Sequence, residues 1–172
     1  NLAPEHIESH GSFENYKETK GKLFTHLKNC KTKYINDKRR VQRGASGLKK
    51  TDLNRLKKTI IANLDDEHAS YFLGFGAEKK VGYRQFGSLT STWELSSQVK
   101  IVEYDNIRVS EKGTSFECED VKINLQLLGV FNAANAMNAV CVGLASGLPM
   151  EKIKKGLEDV EGVAGRLEKI DE

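Results

Sequence analysis

"KKTIIANLDDEHASYFLGFG", residues 57–76, changes character part-way along. Thr59–Ala62 is a short run rich in β-branched residues, as a buried strand is. The polar turn that follows carries Asp65 and Asp66, either of which could cap the next helix, and Gly74 and Gly76 supply its stop. A strand passing through a tight turn into a helix is the building unit of an α/β domain.

The flanking sequence extends that reading. "KKVGYRQFG" (79–87) reads as a second strand. From Gln98 to Leu128 the pattern becomes short alternating runs, predicting a small antiparallel meander that turns at Lys112–Gly113. "NAANAMNAVCVGLASG" (132–147) predicts a long small-residue helix ended by Gly147 and Pro149, followed by a charged amphipathic helix, Met150–Asp159. "EGVAGRLEKI" (161–170) reads as a last strand. On the N-terminal side, "HGSFENYKETKGKLF" (10–24) opens an amphipathic helix with Ser12 as cap and Glu14 in the first turn. Its apolar stripe is Tyr16, Leu23, Phe24 and Leu27, and Lys20 falls on the same side. The expected fold is α/β, a mainly parallel sheet flanked by helices with a small antiparallel β-meander.

Composition bounds the class. With 172 residues, 38% apolar and 30% charged, the chain is sized for one domain with a real core. No apolar run reaches the roughly 18 residues of a membrane span. The three cysteines, Cys30, Cys118 and Cys141, have no CxxC spacing, which points to a reducing cytoplasm and away from a disulfide framework or zinc site. The net charge of +3 hides a basic block. Residues 28–58 hold 12 Lys and Arg against Asp37 and Asp52, a local +10, so the remainder sums to −7 (15 basic, 22 acidic). Such a block is most simply a solvated insertion. It could also meet a polyanion, although Tyr34 is its one aromatic, which weighs against RNA. A G-x-x-x-x-G-K-[ST] phosphate loop is absent, since "GYRQFGSL" (82–89) has the glycines but not the Lys.

Three groups of residues could carry chemistry. His6 and His10 sit four apart among two glutamates, as metal ligands do on a helix, but Pro4 and Gly11 favour a polar loop. Lys20, if on a buried stripe, either snorkels its ammonium to solvent or is a functional amine. Asn132, Asn135 and Asn138 open the small-residue helix three apart. They suit capping, with Asn132 as N-cap and Asn135 as its reciprocal, and they equally suit recognition of adenine or substrate, because a carboxamide both donates and accepts.

Taken in order, these strings resemble the Mur ligase family, and most closely its UDP-N-acetylmuramoyl-tripeptide synthetases. "NLAPEHIESHGSFENYKETKGKLF" (1–24) is similar to a D-H-L-D-x-H-G stretch followed by Y-x-x-x-K-x-x-L-F. "IIANLDDEHA" (60–69) is similar to an N-x-D-D strand end, and "GTSFEC" (113–118) with "LLGVFNAANAMNAV" (127–140) to G-x-x-F and G-x-F-N-x-x-N-x-x-A-A. "GVAGRLEKID" (162–171) resembles G-x-x-G-R-x-E. Glu5 and Glu8 stand where the pattern has Asp, keeping the charge, and the 28–58 stretch is longer than the family's connection.

The resemblance implies a central ATP-binding domain from a cytoplasmic ligase of peptidoglycan synthesis. Such an enzyme activates a carboxylate with ATP as an acyl phosphate, which an amino acid then attacks, and two Mg²⁺ ions screen the charge. By the same resemblance His6 binds metal and Lys20 is the carbamylated, metal-binding lysine. Asn135 meets adenine with Asn132 as helper, and Arg166 lies near the nucleotide. The partners implied are a UDP-MurNAc-peptide and an amino acid, with no membrane or nucleic acid, in a monomer. The chain begins at Asn1 and reads as part of a longer protein. Residues 1–172 are expected as a partial central domain, inactive alone, without the UDP-sugar domain, phosphate loop and C-terminal domain. A folylpolyglutamate synthetase-like ligase is the alternative within that chemistry. A binding module using residues 28–58 is the alternative outside it.

Overall fold

A computed structural model describes residues 2, 10–31, 33–35, 54–88 and 98–162. Helix α1 (Phe13–Asn29) starts where expected, with the Ser12 side chain accepting from the Asn15 N–H at 3.1 Å. A two-residue antiparallel ladder, β1 (Tyr34–Ile35) with β2 (Asn54–Arg55), brackets the middle of the basic block. Then come β3 (Thr59–Asn63), the short helix α2 (Ala69–Leu73), β4 (Lys79–Gln85), β5 (Val99–Ser110), β6 (Gly113–Cys118), β7 (Val121–Leu125), α3 (Phe131–Ala145) and α4 (Met150–Glu158).

Strands β3 to β7 form one sheet in sequence order. The ladders β3–β4 and β4–β5 are parallel, while β5–β6 and β6–β7 are antiparallel. The meander is thus continuous with the parallel half through β5, the strand shared by both. Alternation along β3 decides what covers it. Ile60 and Ala62 join a cluster with Phe24 and Leu27 of α1 and with Ala69 and Leu73 of α2. Ile61 points the other way, to the main core beneath α3. That core holds Val102, Phe116, Ile123, Met137, Val140 and Cys141, all essentially inaccessible to solvent. The α3 residues approach through Ala133, Ala136 and Gly143, and Gly143 leaves no room for a Cβ beside Ile153 of α4.

Several local expectations change in the folded chain. Leu23 is 71% exposed and does not belong to the buried stripe. Successive helical residues point about 100° apart, and it is Phe24 that stacks against Phe72 and Phe75, at 4.8 and 5.6 Å between ring centroids. Lys20 is exposed, not buried, with Nζ 5.2 Å from the Tyr16 ring centroid. Val130, not Asn132, is the N-cap of α3, and neither aspartate caps α2, which follows His68 without a side-chain cap. The end of α3 matches its sequence. Gly147 takes φ +79, and the Gly147 and Leu148 N–H groups donate to the Leu144 and Gly143 carbonyls, the paired bonds of a Schellman motif. The expected last strand and its Arg166 lie outside the described residues, as does His6.

Candidate active-site cleft

The C-terminal end of a parallel strand is where an open α/β sheet leaves a crevice, and β3 ends in such a place. Asn63 terminates the strand, and its Oδ1 accepts the Asp65 N–H at 3.0 Å, closing a side-chain-to-backbone turn. Asp65 Oδ2 accepts the Gln85 N–H at 2.9 Å, tying the end of β3 to the end of β4. Asp66 holds the next corner, with Oδ1 on the His68 N–H at 2.8 Å and Oδ2 on the Leu2 N–H at 2.9 Å. The "NLDD" turn therefore fixes the strand ends and holds Leu2 beside them.

Around this turn lies a cleft of about 200 Å³. Lys20 enters from α1, Asn63 and Asp66 from the end of β3, and Asn138 from α3, over walls that include Phe24, Phe72 and Tyr83. The cleft thus brings an amine, a carboxylate and two carboxamides together on an aromatic and aliphatic base. Lys20 is placed there by helical register. The buried Gly21 beside it has the Tyr71 hydroxyl where a Cβ would stand, so α1 comes close to α2 at this turn. Burial pushes the Tyr83 phenol well above its ordinary value, with the negative charges of Asp65 and Asp66 acting the same way, so Tyr83 is a neutral wall.

Asn132 and Asn135 sit together on the first turns of α3, up the helix from Asn138. Asn132 Nδ2 donates to the Leu128 carbonyl at 2.8 Å, and Asn135 Nδ2 donates to Asn132 Oδ1 at 3.4 Å. Asn135 is exposed and keeps its carbonyl oxygen available. The structure thus joins Lys20 to Asn138, and Asn132 to Asn135. In the sequence Asn63 stands in a strand-end motif and Asp66 in that motif and as a candidate helix cap, and their position at the end of a parallel strand is the signal that marks them as cleft residues. Among the described residues no three His, Cys, Asp or Glu side chains cluster as a metal cage. The cleft's donors are oxygen and amine groups. Oxygen donors suit a hard ion such as Mg²⁺, which takes one or two carboxylates and keeps water.

A family model described as Mur ligase middle domain matches residues 1–56 and 49–143, the two segments meeting inside the basic block. The chain belongs to the Mur ligase family. This middle domain is 29% identical over 174 residues to a UDP-N-acetylmuramoyl-L-alanyl-D-glutamate–2,6-diaminopimelate ligase of Halalkalibacterium halodurans, covering 99% of the chain and 29% of that relative. It is 29% identical over 178 residues to a UDP-N-acetylmuramyl-tripeptide synthetase of a Roseiflexus species, with the same coverage. The chain spans about 29% of the length of these curated relatives. In fold it is similar to a UDP-N-acetylmuramoylalanyl-D-glutamyl-2,6-diaminopimelate–D-alanyl-D-alanyl ligase of Acinetobacter baumannii. The TM-score is 0.62 at 20% identity, over 100% of this chain and 30% of that one. Among the described residues no helix is long and apolar enough to cross a membrane.

Proposed function

We propose that this Mur ligase middle domain works within an ATP-dependent ligase that adds the third amino acid to a UDP-MurNAc-dipeptide through an acyl phosphate. The observation that carries the reading is the convergence of Lys20 with Asn63 and Asp66 in one cleft at the C-terminal end of β3. In this reading Lys20 reacts with CO₂ to become a carbamate, turning a cation at the cleft into an oxygen-bearing anion. That anion and Asp66 would hold Mg²⁺ together with His6. ATP with Mg²⁺ would supply the γ-phosphoryl group that activates the substrate carboxylate, with ADP leaving, and the charge screening. Asn135 receives the adenine edge with its free carbonyl, Asn132 holds the Asn135 carboxamide in place, and Arg166 lies toward the phosphates. Residues 28–58 are read as an insertion into this domain and residues 98–128 as its meander, with the UDP-sugar and amino-acid domains elsewhere in the complete, cytoplasmic enzyme.

The test is phosphate release by the complete ligase with ATP, Mg²⁺, UDP-MurNAc-Ala-Glu and a panel of diamino acids, starting with the diaminopimelate named for its relatives. Turnover with one amino acid is expected, falling by roughly 10² or more in Lys20→Ala if Lys20 helps to stabilise the developing charge. Recovery of the variant by short-chain carboxylic acids, with unchanged melting temperature, would identify the missing group as an anion. Undiminished turnover in Lys20→Ala would return Lys20 to an ordinary surface lysine lying on Tyr16. Turnover with a folate in place of the sugar peptide would instead support the folylpolyglutamate-type ligase.

A further inference from the structure

At the other end of β3 from the cleft lies a larger groove of about 680 Å³. It runs past the C-terminal ends of α1 and α3 and along β2. Its floor is aliphatic, with Leu27, Leu56, Ile61 and Val142, of which Leu56 is 38% and Val142 54% exposed. Six cations line it, and nearby Glu78 is already committed. Its carboxylate pairs with Arg55 at 2.7 Å and accepts the Lys58 N–H at 3.0 Å.

Three of the six cations have internal work. Lys58 Nζ donates to the Lys28 carbonyl at 2.7 Å and Lys79 Nζ to the Ala145 carbonyl at 3.3 Å, each neutralising a helix C-terminus, and Arg55 holds Glu78. Lys31, Lys33 and Lys57 are exposed on the rim with no acidic partner among the described residues. An exposed aliphatic floor inside a cationic rim is costly to leave in water and repels itself, so it is complementary to something apolar and anionic at once.

We propose that this groove is a docking site for an acidic peptide segment of a partner protein, which lays aliphatic side chains on Leu56 and Val142 and sets carboxylates against Lys31, Lys33 and Lys57. Nucleic acid fits less well. Its bases stack on aromatic rings, and no aromatic side chain lines the groove among the described residues. A lone phosphate fits less well too, because it would leave the aliphatic floor of Leu27, Leu56, Ile61 and Val142 in water. The groove shares only Ile61 with the cleft and contains none of Lys20, Asn63, Asp66 or Asn138.

The experiment is fluorescence anisotropy of a labelled peptide of alternating leucine and glutamate, titrated with the complete protein. An otherwise identical leucine–glutamine peptide and an oligothymidylate of the same length serve as comparators. Saturable binding of the acidic peptide is expected. It should weaken about tenfold or more in the double variant Lys31→Glu/Lys57→Glu, and fall again on raising salt to about 0.3 M, because rim charges are screened over a Debye length. Val142→Ser should weaken the same peptide at constant charge. Both variants alter exposed side chains, and an unchanged melting temperature confirms their folding. Equal binding of the glutamine peptide, tighter binding of the oligothymidylate, or no saturable binding of the acidic peptide would each overturn the proposal.

Discussion

Replacing Gly113 by alanine tests whether the antiparallel half of the sheet positions the start of α3. Gly113 opens β6 directly after the turn at Glu111–Lys112 and holds φ +136, a conformation that L side chains rarely adopt. An alanine Cβ would run into the Leu125 carbonyl oxygen of β7, with the Leu125 carbonyl carbon at 2.9 Å and Gln126 Cα at 3.1 Å. Every one of these atoms is backbone, so no side chain can swing aside. Conformational strain costs about 1–3 kcal/mol and overpacking about 1–3 kcal/mol, together roughly 4 kcal/mol. For a chain of this size each kcal/mol moves the melting temperature by about 2–4 °C, so a fall of roughly 8–16 °C is expected.

The neighbouring residue links this to the first turns of α3. Thr114 is buried and its hydroxyl donates to the Gly129 carbonyl at 3.2 Å, just before α3 begins at Phe131 and presents Asn132 and Asn135. Gly147→Ala is the control. It also has positive φ (+79), but no atom lies within 4 Å of its Cβ, so only about 1 kcal/mol of strain is expected. The assay is thermal and urea unfolding followed by far-ultraviolet circular dichroism. If Gly113→Ala costs no more than Gly147→Ala, the close approach of β6 to β7 is not what requires glycine, and the reasoning fails.

Two further expectations follow from the cores and the helix start. Burial pushes the Cys118 thiol up to about 11 and the Cys141 thiol up to about 12, from an ordinary 9.0. Above pH 9 the unfolded chain releases protons that the native state keeps, so stability is complete below that pH and declines as pH rises toward the folded-state values. At about 1.4 kcal/mol per unit, Cys118 alone accounts for roughly 3 kcal/mol by about pH 11. Urea midpoints against pH should show this decline, and Cys118→Ala should flatten it; an unchanged slope would remove the thiols as its cause. Asn135→Ala should weaken ATP binding to the complete ligase by about tenfold, the worth of one good hydrogen bond, with little change in the melting temperature because Asn135 is exposed. Calorimetric titration reads the first and a thermal melt the second, and unaltered affinity would leave Asn135 only its side-chain bond to Asn132.

What could be read from sequence was local. The strand from Thr59, the meander with its turn within a residue of the expected Lys112–Gly113, and the two C-terminal helices are specified by patterns a few residues long. So is the Gly147 stop, because its φ and its two capping bonds involve only the last turn of α3. Lys20, Asn132 and Asn135 could be singled out because they interrupt or decorate such patterns, while their proposed roles came from resemblance to a family.

The rest depended on which surfaces meet. A stripe containing both Leu23 and Phe24 is legible, but only α2, with Phe72 and Phe75, decides that Phe24 turns inward and Leu23 outward. The sharing of β5 between parallel and antiparallel ladders depends on β4, which pairs with it in parallel from earlier in the sequence. The cleft itself joins residues 20, 63, 66 and 138, and the basic groove joins β2 to the ends of α1 and α3. Spacing along the chain carries periodicity within one element. Contacts between elements are settled when their apolar faces compete for the same buried volume, and that competition takes place only in three dimensions.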